Sequence, residues 1–487
     1  MLSHGKDEVA SEVQLNSLAC RVTKNFFVFA ISVYLLLWVA IFNGYPAVFY
    51  DTATYLLNSV TLSPAPFRPI MYGLFIRLVS FGLTPWLAVV AQGAITVFVL
   101  SRVFDYLSGH SASSPAKTSL FLGLVVLLAF LTSLPWFVAL LMPDVFTGVL
   151  FLSLFLLLYD PELSRGEVLF LCGVLAVSAA SHLSHLPTVA ILIFLLLAIY
   201  PLRSLRRWRP CRSLAKTLAL LILPMSLSLT VVAVANWEAG MGFRISPAGH
   251  TFLMGALLDS GLAGDYLKKN CATEQLASCK YINDLPNSQQ FLWKGHPMLK
   301  GIGGWLGSRE EVNKIIMGTV RQHPIRLLGT AGKQMLRQLP LSSPQDTAFQ
   351  ESATSPMNVD TVRLLFPGDF PKYDASQQYV GRLERLAHRA ARVQKVVFWA
   401  ALLISLVIAT MKRSGTRSAT QLFVPTLTFM LANAGVTGAL SGVFNRYQSR
   451  ISWLILLCCF GYFLPVLLQN TRTSLAHGGL DQQALAD

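Results

Sequence analysis

Residues 25–44, NFFVFAISVYLLLWVAIFNG, decide how this chain is to be read. The segment carries no charge over the length of about 20 residues that a bilayer-spanning helix needs. It is too long and too aromatic for the core of a signal peptide, and no small-residue cleavage site follows. It therefore reads as an uncleaved membrane anchor. The same pattern recurs at 85–104, 118–134, 145–159, 168–180, 187–200 and 217–236, and again at 396–411, 421–438 and 451–468. The expected fold is an all-α polytopic membrane protein with about ten transmembrane helices.

Composition agrees. Of 487 residues only 13% are charged and 53% are apolar. A soluble globular domain carries about 25% charge, and a disordered chain needs low hydrophobicity, so both classes are excluded. The net charge of +15 is unusual in so apolar a chain. Such an excess marks either nucleic-acid binding or the cytoplasmic loops of a membrane protein, and its location separates the two. Arg203, Arg206, Arg207, Arg209, Arg212 and Lys216 fall between the sixth and seventh spans. Lys412, Arg413 and Arg417 fall between the eighth and ninth, Arg102 and Lys117 flank the second connection, and Arg21 and Lys24 precede the first span. Ten helices with the N-terminus inside place all of these in the cytoplasm. The charge reads as a topology signal, with no nucleic-acid partner. The basic 203–216 loop could also meet anionic lipid.

The expected division is a cytoplasmic N-terminus (1–24), an N-terminal transmembrane module (25–236) with a first outer loop (45–84), and a small, mostly α extracytoplasmic domain (237–395). Three further spans (396–468) and a cytoplasmic tail (469–487) complete it. The outer domain holds an amphipathic stretch over 309–339. Cys172, Cys458 and Cys459 lie in spans, and Cys20 and Cys211 on the inner side. Cys271 and Cys279 share the outer domain, where an oxidising compartment permits a disulfide staple.

Ionisable residues near membrane depth are costly, so each is a site candidate. Asp51, in YPAVFYDTATYL, is either the N-cap of a short helix or a general base. Arg68, in APFRPIMYGL, stands before Pro69 at the start of a short amphipathic helix; it either receives an anion or snorkels at the interface. Asp144, after Pro143, opens the fourth span as a cap or a site residue. His182 and His185, in SHLSHLP, have the spacing of one helical face and could hold a metal or contact a phosphate. Arg446 and Arg450, in GVFNRYQSRISW, lie on the side where topology asks for no positive charge. They either bind a phosphate oxyanion or pair with Asp51 or Asp144. No phosphate-binding glycine loop, GxSxG or HExxH occurs, and no Cys/His zinc spacing.

Several of these features together resemble the GT-C superfamily of integral membrane glycosyltransferases, such as protein O-mannosyltransferases and aminoarabinose transferases. They are the Tyr50-Asp51-x-x-x-Tyr55 loop after the anchor helix, the Arg68-Pro69-x-x-Tyr72 helix, the Pro143-Asp144 turn, the late outer domain, and the Arg446-Tyr447 pair before the last helix. The resemblance covers the architecture of the whole chain. The sequence departs from the family around Asp144, where many members carry more acids, and at His182 and His185, where members often carry Arg or Lys.

The resemblance implies a polyprenyl-phosphate-linked sugar as donor and a glycan, lipid or protein as acceptor. Asp51 would be the base of an inverting transfer. Tyr55, Arg68, Tyr72, Asp144, His182, His185, Arg446, Tyr447 and Arg450 would line the substrates. No cofactor is called for with certainty; a divalent metal is possible, though no full ligand set is present. The lack of Asn-x-Ser/Thr sequons and the short termini point to a bacterial origin, so the expected location is a bacterial inner membrane, multi-pass, with the site facing the periplasm. The competing readings are a lipid or glycolipid flippase, against which stand the absence of repeats and of acids at helix centres, and a non-catalytic assembly protein.

Overall fold

The computed structural model describes residues 23, 25–110, 114–199, 210–411 and 415–483, with side chains to residue 470 in the last helix. Cys20, Arg21, Lys24, Arg203, Arg206, Arg207, Arg209, Lys412 and Arg413 lie outside the described residues. Every regular element among the described residues is a helix, and the only β pairing is two isolated bridges.

The first half runs α1 (Asn25–Leu36), α2 (Trp38–Asn43), α3 (Thr52–Thr61), α4 (Met71–Ser80), α5 (Trp86–Ser108), α6 (Pro115–Leu131), α7 (Leu134–Val138), α8 (Val145–Tyr159), α9 (Arg165–Ser181), α10 (His185–Ile199) and α11 (Leu214–Glu238). The interval after it holds α12 (Gly249–Asp259), α13 (Leu262–Asn270), α14 (Ser288–Leu292), α15 (Pro297–Gly301), α16 (Gly304–Gly307), α17 (Arg309–Gln322), α18 (Pro324–Gln338), α19 (Gln350–Ala353), α20 (Pro356–Leu365) and α21 (Phe370–Asp374). The chain ends with α22 (Arg382–Thr410), α23 (Arg417–Leu440), α24 (Asn445–Ser452) and α25 (Leu454–Gln483).

Five segments are long and apolar enough to cross a membrane: α5, α11, α22, α23, and the run Asn445–Asn470 through α24 and α25. Five other apolar helices, α1, α4, α6, α8 and α10, are shorter. The expected count of about ten spans is therefore matched in length by five. The shortening has visible causes. Residues 132–133 separate α6 from α7, Pro143 follows α7, and a non-helical turn at residues 182–184 separates α9 from α10. The first expected span breaks at Leu37 into α1 and α2.

The bundle is built around α8, where every residue from Val145 to Leu158 is buried. A helix apolar all round belongs in such a place. It packs against α5, α9, α23 and α24. Gly148 permits close approach of Trp453, the residue that caps α24, since a Cβ there would lie 2.5 Å from Cζ2 of Trp453. The Trp453 indole donates to the Arg450 carbonyl at 2.9 Å and so fixes the corner between α24 and α25.

The interval 237–395 packs in two places. Met254, Leu267, Phe291, Met298 and Ile315 form a core of their own. Ala348, Ala353, Val362, Tyr373 and Leu383 instead join the main core of the bundle. Helix α22 runs unbroken through the expected border at 395/396, because 382–395 is rich in Arg, Leu and Ala and contains no Gly or Pro. The amphipathic stretch over 309–339 is two helices, α17 and α18, broken at His323, whose backbone leaves the helical region before Pro324.

The smaller core carries a disulfide between Cys271 and Cys279, with Cα atoms 5.7 Å apart. Closing so short a loop restricts the unfolded chain, so the C271S/C279S variant is expected to lose about 2–3 kcal/mol of stability in that unit, measured by chemical denaturation. The same unit buries His250, whose Nε2 lies 3.2 Å from Ser308 Oγ. Burial, with Arg309 and Arg244 nearby, pushes its pKa down to about 4. The unfolded chain then binds the proton more tightly than the folded one, so stability falls as pH drops below about 6.5. Between pH 7 and 5.5 the expected loss is on the order of 1 kcal/mol, and H250Q should remove that part of the pH dependence in a thermal-melting series.

Candidate functional site

The site is assembled from three loops, carrying Asp51, Arg68 and Asp144, and the short helix α24. Ala47 forms a parallel bridge with Leu140: its N–H donates to the Ala139 carbonyl and its own carbonyl accepts from the Leu141 N–H, both at 2.9 Å. This bridge sets the Asp51 loop beside the turn ending in Asp144. The segment after residue 345 clamps the other side of the loop. Gln378 accepts from the Val48 N–H at 2.9 Å and donates to the Val48 carbonyl at 2.8 Å, and Asn358 donates to the Phe49 carbonyl at 2.9 Å.

Neither aspartate caps its helix. Asp51 and Asp144 hold the N-cap positions of α3 and α8, but their side chains make no cap hydrogen bond. The Ala53 N–H at the start of α3 donates instead to Asn358 Oδ1 at 2.8 Å. Asp51 is thereby left for other partners. Its Oδ1 takes Arg68 Nη2 at 2.6 Å, and its Oδ2 lies 3.9 Å from Arg446 Nη1. Asp144 Oδ1 takes Arg450 Nη1 at 3.3 Å and lies 3.7 Å from Arg446 Nε. One network therefore joins both carboxylates to all three guanidiniums, with Arg446 bridging the two acids.

Burial raises the stakes of this network. The Asp144 and Arg450 side chains are 0% exposed, and Arg446 is 7% exposed. Arg450 also donates through Nη2 to Ser184 Oγ and Asn433 Oδ1, both at 3.0 Å. Three buried atoms still have no hydrogen-bond partner among the described residues: Arg446 Nη1, Arg450 Nε and Asp144 Oδ2. Two of them are guanidinium donors, which are expensive to leave unsatisfied and could receive an oxyanion; the third is a carboxylate acceptor. Aromatic faces complete the cradle. The Arg446 guanidinium lies 4.0 Å from the Phe49 ring centroid, and the Tyr447 ring sits 5.3 Å from Arg446 and 5.4 Å from Arg450.

Arg68 is not at the interface by itself. Its guanidinium faces the rings of Phe67, Phe252 and Trp293 at 5.5–5.9 Å. The helix after it begins at Met71, with Ile70 as N-cap, so Pro69 precedes the helix and does not open it. The two histidines do not share a helical face: His182 follows the last turn of α9 in extended backbone, and His185 starts α10. Their rings are still 5.3 Å apart. His182 Nδ1 contacts Ser184 Oγ at 2.8 Å and so reaches Arg450 through that hydroxyl. His185 is saturated, with Nδ1 at 2.6 Å from the Ser178 carbonyl and Nε2 at 2.7 Å from Thr147 Oγ1. That pattern assigns it to packing α9 and α10 against α8.

Tyr55 and Tyr72 are buried and meet edge to face at 5.1 Å. Tyr72 donates to Gln92 Oε1 at 2.5 Å, and Gln92 holds the carbonyls of Val138 and Leu140. Tyr72 thus supports the loop that carries Asp144. Among the described residues no group of three His, Cys, Asp or Glu side chains is placed to hold a metal. Arg446 bridges Asp51 and Asp144, at 3.9 Å from one carboxylate and 3.7 Å from the other.

Sequence reasoning missed Asn433, Ser184, Asn358 and Asp346. Asn433 is a polar residue inside an apolar span and could have been flagged on that ground. Asp346 takes the Arg446 N–H at 3.1 Å and the Asn445 amide at 3.4 Å, so it anchors the start of α24. Burial pushes its carboxyl above the ordinary range. Nothing in its local sequence marks it.

A second charged cluster lies away from this one. Arg102 meets Glu167 at 3.1 Å, Asp105 at 3.2 Å and Asp160 at 3.8 Å, and His110 meets Asp160 at 3.1 Å. A cavity of about 540 Å³ opens beside it, lined by Asn25, Phe29, Arg102, Asp105, His110 and Lys117. Its charges are paired with one another, and none belongs to the Asp51 network. Arg102 and Lys117, read from sequence as topology signals, are thus also structural ties. Compared with family models, curated proteins and solved structures, the chain shows no significant match to any of them.

Proposed function

We propose that the chain is an integral membrane glycosyltransferase that moves a sugar from a polyprenyl-phosphate donor to a hydroxyl of a glycan, lipid or protein acceptor on the extracytoplasmic face. The observation that carries this reading is the single buried network of Asp51, Arg68, Asp144, Arg446 and Arg450, with orphaned guanidinium donors at its centre. An assembly protein has no use for buried guanidinium donors left without hydrogen-bond partners, which cost stability wherever they are not used.

In this reading Asp51 takes the proton of the acceptor hydroxyl. The oxygen attacks the anomeric carbon, the bond from that carbon to the phosphate oxygen breaks, and polyprenyl phosphate leaves with the electron pair. The charge on the leaving phosphate is met by Arg446 and Arg450, which neighbouring hydrogen bonds and rings already hold in place. The 2.6 Å pair between Arg68 and Asp51 describes a resting state. A phosphate entering between the arginines competes for Arg68 and Arg446 and releases Asp51 to act as base. The test is to incubate the purified protein with a panel of polyprenyl-phosphate sugars and acceptors. Release of free polyprenyl phosphate supports the reading; a folded protein that releases it from no donor overturns it.

A further inference from the structure

Helix α18 (Pro324–Gln338) has three distinct faces. The first packs on α23. A Cβ at Gly438 would lie 2.9 Å from the Gln334 carbonyl oxygen, and one at Gly435 would lie 3.5 Å from Met335 Sδ. The two helices meet backbone to backbone at these small residues, as membrane helices do. Gln338 closes the same face: its amide donates to the Phe444 carbonyl at 2.8 Å and accepts from the Phe444 N–H at 2.9 Å.

The second face is apolar and bare. Ile325, Leu328 and Leu336 are 83%, 73% and 66% exposed. Their spacing, with Gly332, follows one side of a helix. The third face is basic and adjoins it, with Arg326, Lys333 and Arg337. Arg326 pairs with Asp265 at 2.8 Å, whereas Lys333 and Arg337 are exposed and have no ion-pair partner among the described residues.

The depth of this helix follows from where it crosses. Gly438 stands two residues before Leu440, the last residue of α23, and α23 is long and apolar enough to span a membrane. The crossing therefore falls where that span leaves the hydrocarbon. An amphipathic helix at that level, with aliphatic side chains on one side and unpaired cations on the next, matches the chemistry of the headgroup boundary.

We propose that α18 is an interfacial helix docked on anionic phospholipid. Ile325, Leu328 and Leu336 enter the acyl boundary, and Lys333 and Arg337 meet lipid phosphates. Through Gln338 and Phe444 the helix ties membrane depth to α24, which carries Arg446 and Arg450. The proposal stands whether or not the protein transfers sugar.

The test uses the full chain in vesicles, with single spin labels at L328C, K333C or L336C in a C20S/C211S background. The same background without an added cysteine serves as the blank. Vesicles are phosphatidylcholine alone or with phosphatidylglycerol. The labels at 328 and 336 are expected to be relaxed more by oxygen than by a water-soluble nickel chelate, and the label at 333 the reverse. Phosphatidylglycerol should raise the oxygen-to-nickel ratio at 328, and K333Q/R337Q should abolish that rise. Nickel-dominated relaxation at 328 and 336, or a ratio at 328 that ignores phosphatidylglycerol, overturns the proposal.

Discussion

Replacing Asp51 by asparagine is expected to lower sugar transfer by about 10²–10⁴-fold, the range a positioned general base contributes. The protein should still insert and fold. Asp51 is 13% exposed at its side chain and sits beside Arg68, itself 16% exposed, so losing the carboxylate leaves partly hydrated guanidinium behind rather than a sealed charge. The Asn358 bond to the Ala53 N–H, which starts α3, is untouched by the substitution. A thermal melt close to wild type together with a collapse in the rate of polyprenyl-phosphate release is the expected pair of results. An active D51N protein would remove Asp51 from the role of base. D51E adds a discriminating readout: a displaced carboxylate should restore part of the turnover that D51N loses, whereas a purely structural Asp51 would leave both variants equally active.

What could be read from sequence follows from the kind of signal each feature sends. The helical class was visible because lipid and core alike demand long apolar runs, and those runs persist in α5, α11 and α23. Lengths were less visible. A run such as 145–159 is apolar on every side, and sequence alone does not distinguish a helix sealed inside protein from one facing lipid; α8 is the former. The site arginines stood out because they broke the charge asymmetry expected of the outer side. Their partners did not, because pairing across 302 residues between Asp144 and Arg446 depends on tertiary packing. For the two aspartates the local pattern left a cap and a site role open; at α3 Asn358, far along the chain, takes the Ala53 N–H instead of Asp51. Tyr72 stood out through the resemblance and His185 through its spacing from His182; what sequence could not show is that Tyr72 donates to Gln92 and that His185 meets Ser178 and Thr147.

Replacing Asp144 by asparagine is expected to be the costliest single change in the network, about 3–5 kcal/mol, because it leaves buried charge without its counter-ion. Arg450 is 0% exposed and loses its 3.3 Å carboxylate partner; Arg446, 7% exposed, loses the acid at 3.7 Å. Ser184 and Asn433 remain to accept from Arg450, but neutral oxygens do not offset a sealed positive charge. The physical cause can be isolated with the double variant D144N/R450Q. Removing the Arg450 guanidinium together with the carboxylate eliminates the fully sealed unpaired charge and leaves Arg446 with Asp51 at 3.9 Å, so the double variant should be clearly more stable than the sum of the two single losses, a coupling read from thermal or denaturant unfolding of all four proteins. Simple additivity would mean that Asp144 and Arg450 contribute separately and that the network is not one electrostatic unit. The same four proteins separate stability from chemistry. If Arg446 and Arg450 serve the leaving phosphate, D144N/R450Q should regain folding without regaining turnover, since the group that meets the developing charge is still missing.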